Sequence, residues 1–241
     1  FLLQSSLRVD QGRLSAAKQF LNTYKFAGFI DTPVSPWEWL EDNLLPLLPV
    51  SIVSGDDGVY PVVWRMDATA DQAVEKITTG TGGAVRTDPV SYDNSYLSVI
   101  NEIRIDWAWS PQDSTHKMFT TMKGTPDPDS AHEFSNYYAK ASEARYGSRV
   151  ETIESAILYD EATVFRILNW RLRASGFLHR TALYTVSKAY GWLSLGDVVT
   201  VTDSDLSITD RVGLIQSVMW ESEEAITLGI LLIDDPARDM V

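Results

Sequence analysis

The sequence predicts an α+β protein made of antiparallel β-barrel or sandwich modules with helices packed against them. Three observations carry that prediction. Glu102 to Trp109 alternates strictly, with Ile103, Ile105, Trp107 and Trp109 on one face and Glu102, Arg104 and Asp106 on the other, the period of a half-buried strand. Asp160 to Ser175 reads as a helix. Asp160 is its cap, Ala162, Phe165, Leu168 and Leu172 form its buried face, and Gly176 stops it. Four β-prone runs then follow, at Arg180–Val186, Asp197–Thr202, Val212–Trp220 and Ala225–Ile233. The short polar turns between them suit an antiparallel sandwich or barrel.

The remaining elements follow in order. Phe1 to Asp10 reads as a short strand. Leu14, Ala17, Phe20, Leu21 and Tyr24 form one stripe of a helix over Leu14–Phe26, which Gly28 ends. Ser35-Pro36-Trp37-Glu38 has the pattern of a capping box, with Pro at the first helical position. The helix it starts is stopped by Pro46 and Pro49. Val50–Val53 and Val59–Trp64 read as a hairpin around a glycine-bearing loop. Thr69 to Thr78 reads as a short helix with Thr69 and Gln72 as a second capping box, and Thr79 to Gly83 as a flexible loop. His116 to Met122 pairs back on the 102–109 strand. Ser135–Ala141 reads as a strand and Ser142–Gly147 as a helical turn. Gly124 to Ser130 has one Gly, two Pro and two Asp in seven residues, the best linker in the chain. It divides a mixed module at 1–125 from a β-barrel module at 126–241. The alternative is a surface loop inside one interleaved fold.

The 241 residues carry 20 basic and 33 acidic side chains, a net charge of −13. The acid is spread evenly. Residues 1–120 hold 9 basic and 15 acidic side chains, and residues 121–241 hold 11 and 18. Neither half has the clustered Lys and Arg that grip phosphate, so no specific nucleic-acid binding is expected. With no cysteine there are no disulfides, thiolate metal sites or Cys nucleophiles. No apolar run approaches the roughly 18 residues that span a membrane, and no insertion is expected. Phe1-Leu2-Leu3-Gln4 lacks an initiator Met and a basic lead into an apolar run. It reads as part of a longer chain and not as a signal peptide.

The familiar catalytic patterns are missing. There is no nucleophile elbow and no phosphate loop, and His132-Glu133 has Asn136 where a zinc-binding helix needs its second His. Thr79 to Gly83 is glycine-rich but has no Lys and follows a helical pattern. Asp127, Asp129 and Glu133 supply the oxygen donors that a hard cation takes, as do Asp203 and Asp205. Asp as a turn former explains the same residues, as it does Asp56-Asp57 at the hairpin tip. Neither a metal nor a cofactor is expected. Two carboxylates facing each other would suit glycoside hydrolysis, but with 33 acids such pairs arise by chance. Eight Trp are scattered through the chain. Trp107 and Trp109 share a strand face and are the candidate platform for a sugar, against core or interface packing for the same rings.

Three stretches in order resemble a known family. They are Trp39-Leu40 through Leu48-Pro49-Val50 into Gly55-Asp56-Asp57-Gly58-Val59-Tyr60, then Ser142 through Tyr146-Gly147 to Glu151, then Leu193-Ser194-Leu195-Gly196-Asp197-Val198-Val199-Thr200-Val201-Thr202. The pattern is similar to that of the hub proteins at the tail tip or baseplate of long-tailed and contractile bacteriophages and gene transfer agents. The resemblance implies β-barrel modules of tail-tube type. It also implies a ring, usually trimeric, that joins the tail tube to tail-tip or fibre proteins in the virion tail, lets DNA pass and catalyses nothing. Acid lining such a lumen would repel DNA, although −13 also serves solubility. A glycan-binding tail module is the alternative reading, and an acid-pair hydrolase the third.

Overall fold

The computed structural model describes residues 9–28, 30, 33–55, 58–80, 83–87, 90–92 and 98–233. In chain order the first elements are α1 (Gln11–Leu21), α2 (Pro36–Trp39), β1 (Val50–Gly55), β2 (Gly58–Val63), β3 (Glu75–Thr78), β4 (Val85–Arg86) and β5 (Ser91–Tyr92). Then come β6 (Glu102–Ser110), β7 (Thr115–Lys123), β8 (Glu133–Ser135), α3 (Tyr137–Tyr146), β9 (Val150–Glu154) and α4 (Glu161–Ser175). The last are β10 (Arg180–Ser187), β11 (Val198–Asp203), β12 (Ile208–Trp220) and β13 (Ala225–Leu232).

These elements form two compact units, each built from two separate segments. Unit 1 is Phe1–Trp64 with Ile100–Gly176, and unit 2 is Arg65–Val99 with Phe177–Val241. The linker read at Gly124–Ser130 therefore lies inside unit 1. The reason is pairing across it: β7, which precedes it, pairs in parallel with β8, which follows it. The two units alternate along the chain, but β6 and the C-terminal strands lie in separate sheets.

In unit 1, β6 and β7 form the expected hairpin, flanked in the order β8-β7-β6-β9. Helix α4 packs on this sheet. Ile103, Ile105, Met122, Leu158, Val164, Ile167, Leu168 and Leu172 are buried together. Asp160 caps α4 by accepting from the Thr163 N–H at 2.9 Å and the Thr163 hydroxyl at 2.7 Å. Leu168 and Leu172 are buried as expected; Thr163, Val164 and Ile167 face inward with them, Phe165 is half-buried and Ala162 is exposed.

Helix α3 replaces the strand expected at Ser135–Ala141, of which only Ser135 is strand. Asn136 is the cause. Its side-chain oxygen accepts from the N–H groups of Tyr138 and Ala139, a helix start that overrides the β-preference of the two tyrosines. Helix α1 starts earlier than expected because Asp10 caps it, accepting from Arg13 N at 3.1 Å, and it ends at Leu21. Ser35 makes no side-chain cap bond. The four residues of α2 run into a wide turn at Leu40–Leu44 and a tight one at Leu45–Leu47 before β1. Val9 bridges to Val59 in parallel; the rest of the strand expected at the N-terminus lies outside the described residues, as do Asp56 and Asp57.

Unit 2 holds the four expected C-terminal strands in one sheet, in the order β3-β11-β12-β13-β10-β4, with β5 also on β10. The capping box at Thr69 and Gln72 forms but covers only the turn Ala70–Gln72. The rest of the helix expected there is β3, which pairs in parallel with β11. The sheet is strongly curled. Its two ends would stand about 24 Å apart if flat, yet Thr79, just past β3, bridges to Ala84, just before β4. Val199, Val201, Ile215, Ile226, Leu228 and Ile230 fill the interior.

Leu168→Ala, at a site with no exposed surface, is expected to cost about 2–5 kcal/mol. Urea unfolding followed by far-ultraviolet circular dichroism checks this, and a cost under about 1 kcal/mol would contradict the assignment of α4 to the core.

Candidate functional site

The best-built polar constellation lies within the curled sheet of unit 2. Asp203 ends β11 with no exposed surface. Its carboxylate accepts from the Tyr184 hydroxyl on β10 at 3.2 Å, from the Thr79 hydroxyl at 3.5 Å and from Asp205 N at 3.0 Å. The Arg86 guanidinium on β4 lies 3.5 Å from it and 3.3 Å from Asp205. β10 and β11 stand three places apart in the sheet, so the Tyr184–Asp203 bond spans its concave side. The sequence marked Asp203 and Asp205 as turn acids. Asp205 is one, but Asp203 is an internal counter-charge. No local signal pointed to Arg86 and Tyr184, its partners more than fifteen residues away.

In this arrangement each group is already paired. The Tyr184 phenol is pushed up from its ordinary 10.0, first by burial and then by the Asp203 carboxylate, so it stays a neutral donor. Its proton is occupied by Asp203, and Asp203 is occupied by Arg86.

A second polar group lies in unit 1. Lys123 Nζ sits 2.7 Å from Glu133 and 3.7 Å from Glu102. Glu133 also accepts from Asp127 N at 2.8 Å, and Asp127 accepts from Asp129 N at 3.0 Å. The Asp127 N–H, followed by the Lys123 ammonium, holds the Glu133 carboxyl below its usual range, while Glu133 raises Lys123. Turn formation thus accounts for Asp127 and Glu133, whose oxygens already face N–H donors. Among the described residues no three His, Asp or Glu side chains converge as a metal site would require.

Trp107 and Trp109 do not form an exposed pair. Trp107 is buried, and its indole N–H donates to the Thr120 hydroxyl at 3.0 Å. Trp109 is half-buried, its ring 4.9 Å from that of His116. Ala108 between them has φ 58°, a kink that alternation alone does not reveal. The exposed indoles are elsewhere: Trp37 in unit 1, and Trp192 and Trp220 in unit 2. Trp220 lies across Gly191, where an added Cβ would come within 2.7 Å of its ring.

Each stretch that suggested a family has a defined place. The first leads from α2 into the β1–β2 hairpin, and the second ends α3 at Gly147 (φ 75°) and enters β9. In the third, Gly196 (φ 83°) makes the turn, and Asp197 accepts from Ser194 N at 2.8 Å, directly before β11.

No protein-family model and no curated protein matches this sequence. Solved structures do. The tail protein from Neisseria meningitidis MC58 matches at TM-score 0.51 and 14% identity, over 92% of this chain and 66% of that one. The present chain has the fold of that tail protein. The 43 kDa tail protein of prophage MuSo2 from Shewanella oneidensis matches at TM-score 0.44 and 14% identity, covering 93% of this chain and 66% of that one. A chain of the native gene transfer agent virion matches at 0.43 and 15%, covering 68% and 32%. This chain therefore spans two thirds or less of the length of each.

Two predictions follow from the Asp203 cluster. Asp203→Ala leaves the buried Tyr184 hydroxyl without its acceptor and Arg86 with Asp205 alone, and is expected to cost about 1–3 kcal/mol. Thermal unfolding measures it, and an unchanged midpoint would contradict the structural role. The raised Tyr184 phenol gives the second. Below pH 10 both folded and unfolded chains keep its proton, so its contribution is intact. Above pH 10 only the folded chain keeps it, and stability falls by about 1.4 kcal/mol per pH unit until the folded phenol also ionises. Tyr184→Phe is expected to flatten that alkaline slope by one proton; an identical slope in both proteins would refute the burial of the phenol.

Proposed function

We propose that this chain is a structural component of a phage-type virion tail: a hub protein that forms a ring between the tail tube and the tail tip and lets DNA pass through. The observation that carries the reading is the fold shared with the Neisseria tail protein over 92% of this chain. The pattern of the three stretches points the same way.

The physical logic is assembly. Strand β9, outermost in the unit 1 sheet, presents an edge that a neighbouring subunit can extend. In this reading three copies pair edge to edge, the tail tube and tail-tip or fibre proteins stack on either side, and the chain acts without catalysis or membrane insertion. The net charge of −13 keeps a lumen wall from adhering to passing DNA.

Light scattering across a concentration series tests the reading. The expected mass is three or six times 26.9 kDa, with an annulus visible in negative-stain electron microscopy. A strict monomer at every concentration, with no annulus, would overturn it.

A further inference from the structure

Strand β12 outruns its neighbour. β11 pairs with it from Ile208 to Leu214. The last contact on that side is Ile215, whose N–H donates to Asp197 O at 3.0 Å and whose carbonyl accepts from Gly196 N at 2.8 Å. Beyond it, Ser217 to Trp220 pair with β13 alone, and among the described residues no strand lies on the other side.

The backbone of this stretch is aimed outward at a regular spacing. Ile215 faces β11, and Glu221 N donates to Ala225 O on the β13 side. The register shift between Ile215 and Ser217 places Gln216 as the extra residue of a bulge. With that residue absorbed, alternation turns the main-chain groups of Val218 and Trp220 toward the open side. Two N–H and two C=O groups in that arrangement accept a short extended segment.

Side chains frame the edge. Met219 is 43% exposed, Trp220 59% and Trp192 55%. The Trp220 ring is nonetheless held, because it lies on Gly191, where no side chain intervenes. A fixed but exposed indole loses little freedom when a partner covers it. The turn that follows carries Glu221, Glu223 and Glu224, all exposed, and the Lys188 N–H donates to Glu224 O. From Gly213 to Trp220 there is no Lys and no Pro, the residues that normally blunt an exposed edge.

We infer that the open edge of β12 at Ser217–Trp220 docks an extended, Lys- or Arg-bearing strand of a different protein. Its backbone pairs with Val218 and Trp220, and its cations meet Glu221, Glu223 and Glu224. The charge selects the occupant. The outer strands of the unit 1 sheet in a second copy bring no run of cations to meet these glutamates. The outer strand β9 has two glutamates, and the stretch of β7 that β8 leaves uncovered has a single lysine, Lys117. The inference is independent of the ring reading, because it concerns a foreign strand and not the count of copies.

Fluorescence anisotropy tests it with three labelled octapeptides. One alternates Lys and Val, one alternates Glu and Val, and one repeats the Lys–Val peptide with alternate backbone nitrogens methylated, which keeps the charge and removes strand pairing. The Lys–Val peptide is expected to bind saturably, and the other two at least about tenfold more weakly. Trp220→Ala, and the triple change Glu221→Gln, Glu223→Gln, Glu224→Gln, are each expected to weaken it by about tenfold or more with unchanged thermal unfolding. Equal binding of the methylated peptide would reduce the effect to charge alone and overturn the inference. So would equal binding of the Glu–Val peptide, or parent-like binding by both variants. Self-association that light scattering shows to be lost in Trp220→Ala would give the edge to a second copy, and this too would overturn it.

Discussion

Asp203 is a carboxylate with no exposed surface inside an otherwise apolar sheet. A charge there is tolerated only if its partners are fixed, and each partner comes from a different part of unit 2. Tyr184 brings β10, Arg86 brings β4, and Thr79 brings the chain leaving β3. To satisfy one carboxylate the sheet must curl until strands three and more places apart meet. Hydrophobic burial of Val199, Val201, Leu228 and Ile230 drives the collapse but is not directional. The carboxylate supplies the direction and so selects the curled sheet over a flatter one of equal burial.

Among the described residues, unit 1 has no such ion at its centre. Its sheet is closed on one face by α4, and its order depends on crossovers: β8 and β9 both join in parallel, which a simple hairpin cannot achieve. Asn101 helps to seat the β9 crossover. Its side-chain nitrogen donates to Ser142 and to Gly147 O, and its oxygen accepts from Arg149 N, so the end of α3 and the start of β9 are tied to β6 by one amide. Both units thus use a buried polar side chain to define topology that apolar burial leaves open.

Local patterns were legible where local forces decide. Period-two alternation located β6, and β-branched runs between polar turns located β10, β11 and β13 within two residues. Asp160 located α4. The failures are physical as well. Tyr137 and Tyr138 are β-prone, but Asn136 caps a helix beneath them, and a cap contributes about 1 kcal/mol that composition does not display. Strands β3, β4 and β5 hold two to four residues each, too few for a period to register, and they exist because β10 and β11 offer edges to them. Spacing alone put Trp107 and Trp109 on one face, but spacing cannot tell a buried face from an open one, nor foresee the kink at Ala108 between them. The interleaving of the units was the hardest feature to read, since the stretch richest in turn formers, Gly124–Ser130, closes a loop within unit 1 and separates nothing.

The two outer surfaces of the unit 2 sheet are managed in opposite ways. On β10, the chain lays down β4 and β5, and Arg86 pins that cover to Asp203 and Asp205. On β12, strand pairing on the β11 side stops at Ile215, and among the described residues no further strand continues it. If exposed edges were merely tolerated, both would be expected to carry the same defences. Instead the covered edge is locked by an ion pair, while the open one has the Gln216 bulge but no lysine or proline, and displays Met219 and Trp220 with three glutamates beside them. Such an edge would invite aggregation in a free chain unless the charge selects what approaches it. A row of carboxylates beside this edge disfavours acidic strands and leaves a basic strand as the favoured neighbour. The acidity of this chain thus has a local consequence as well as a global one: it makes an unguarded edge selective.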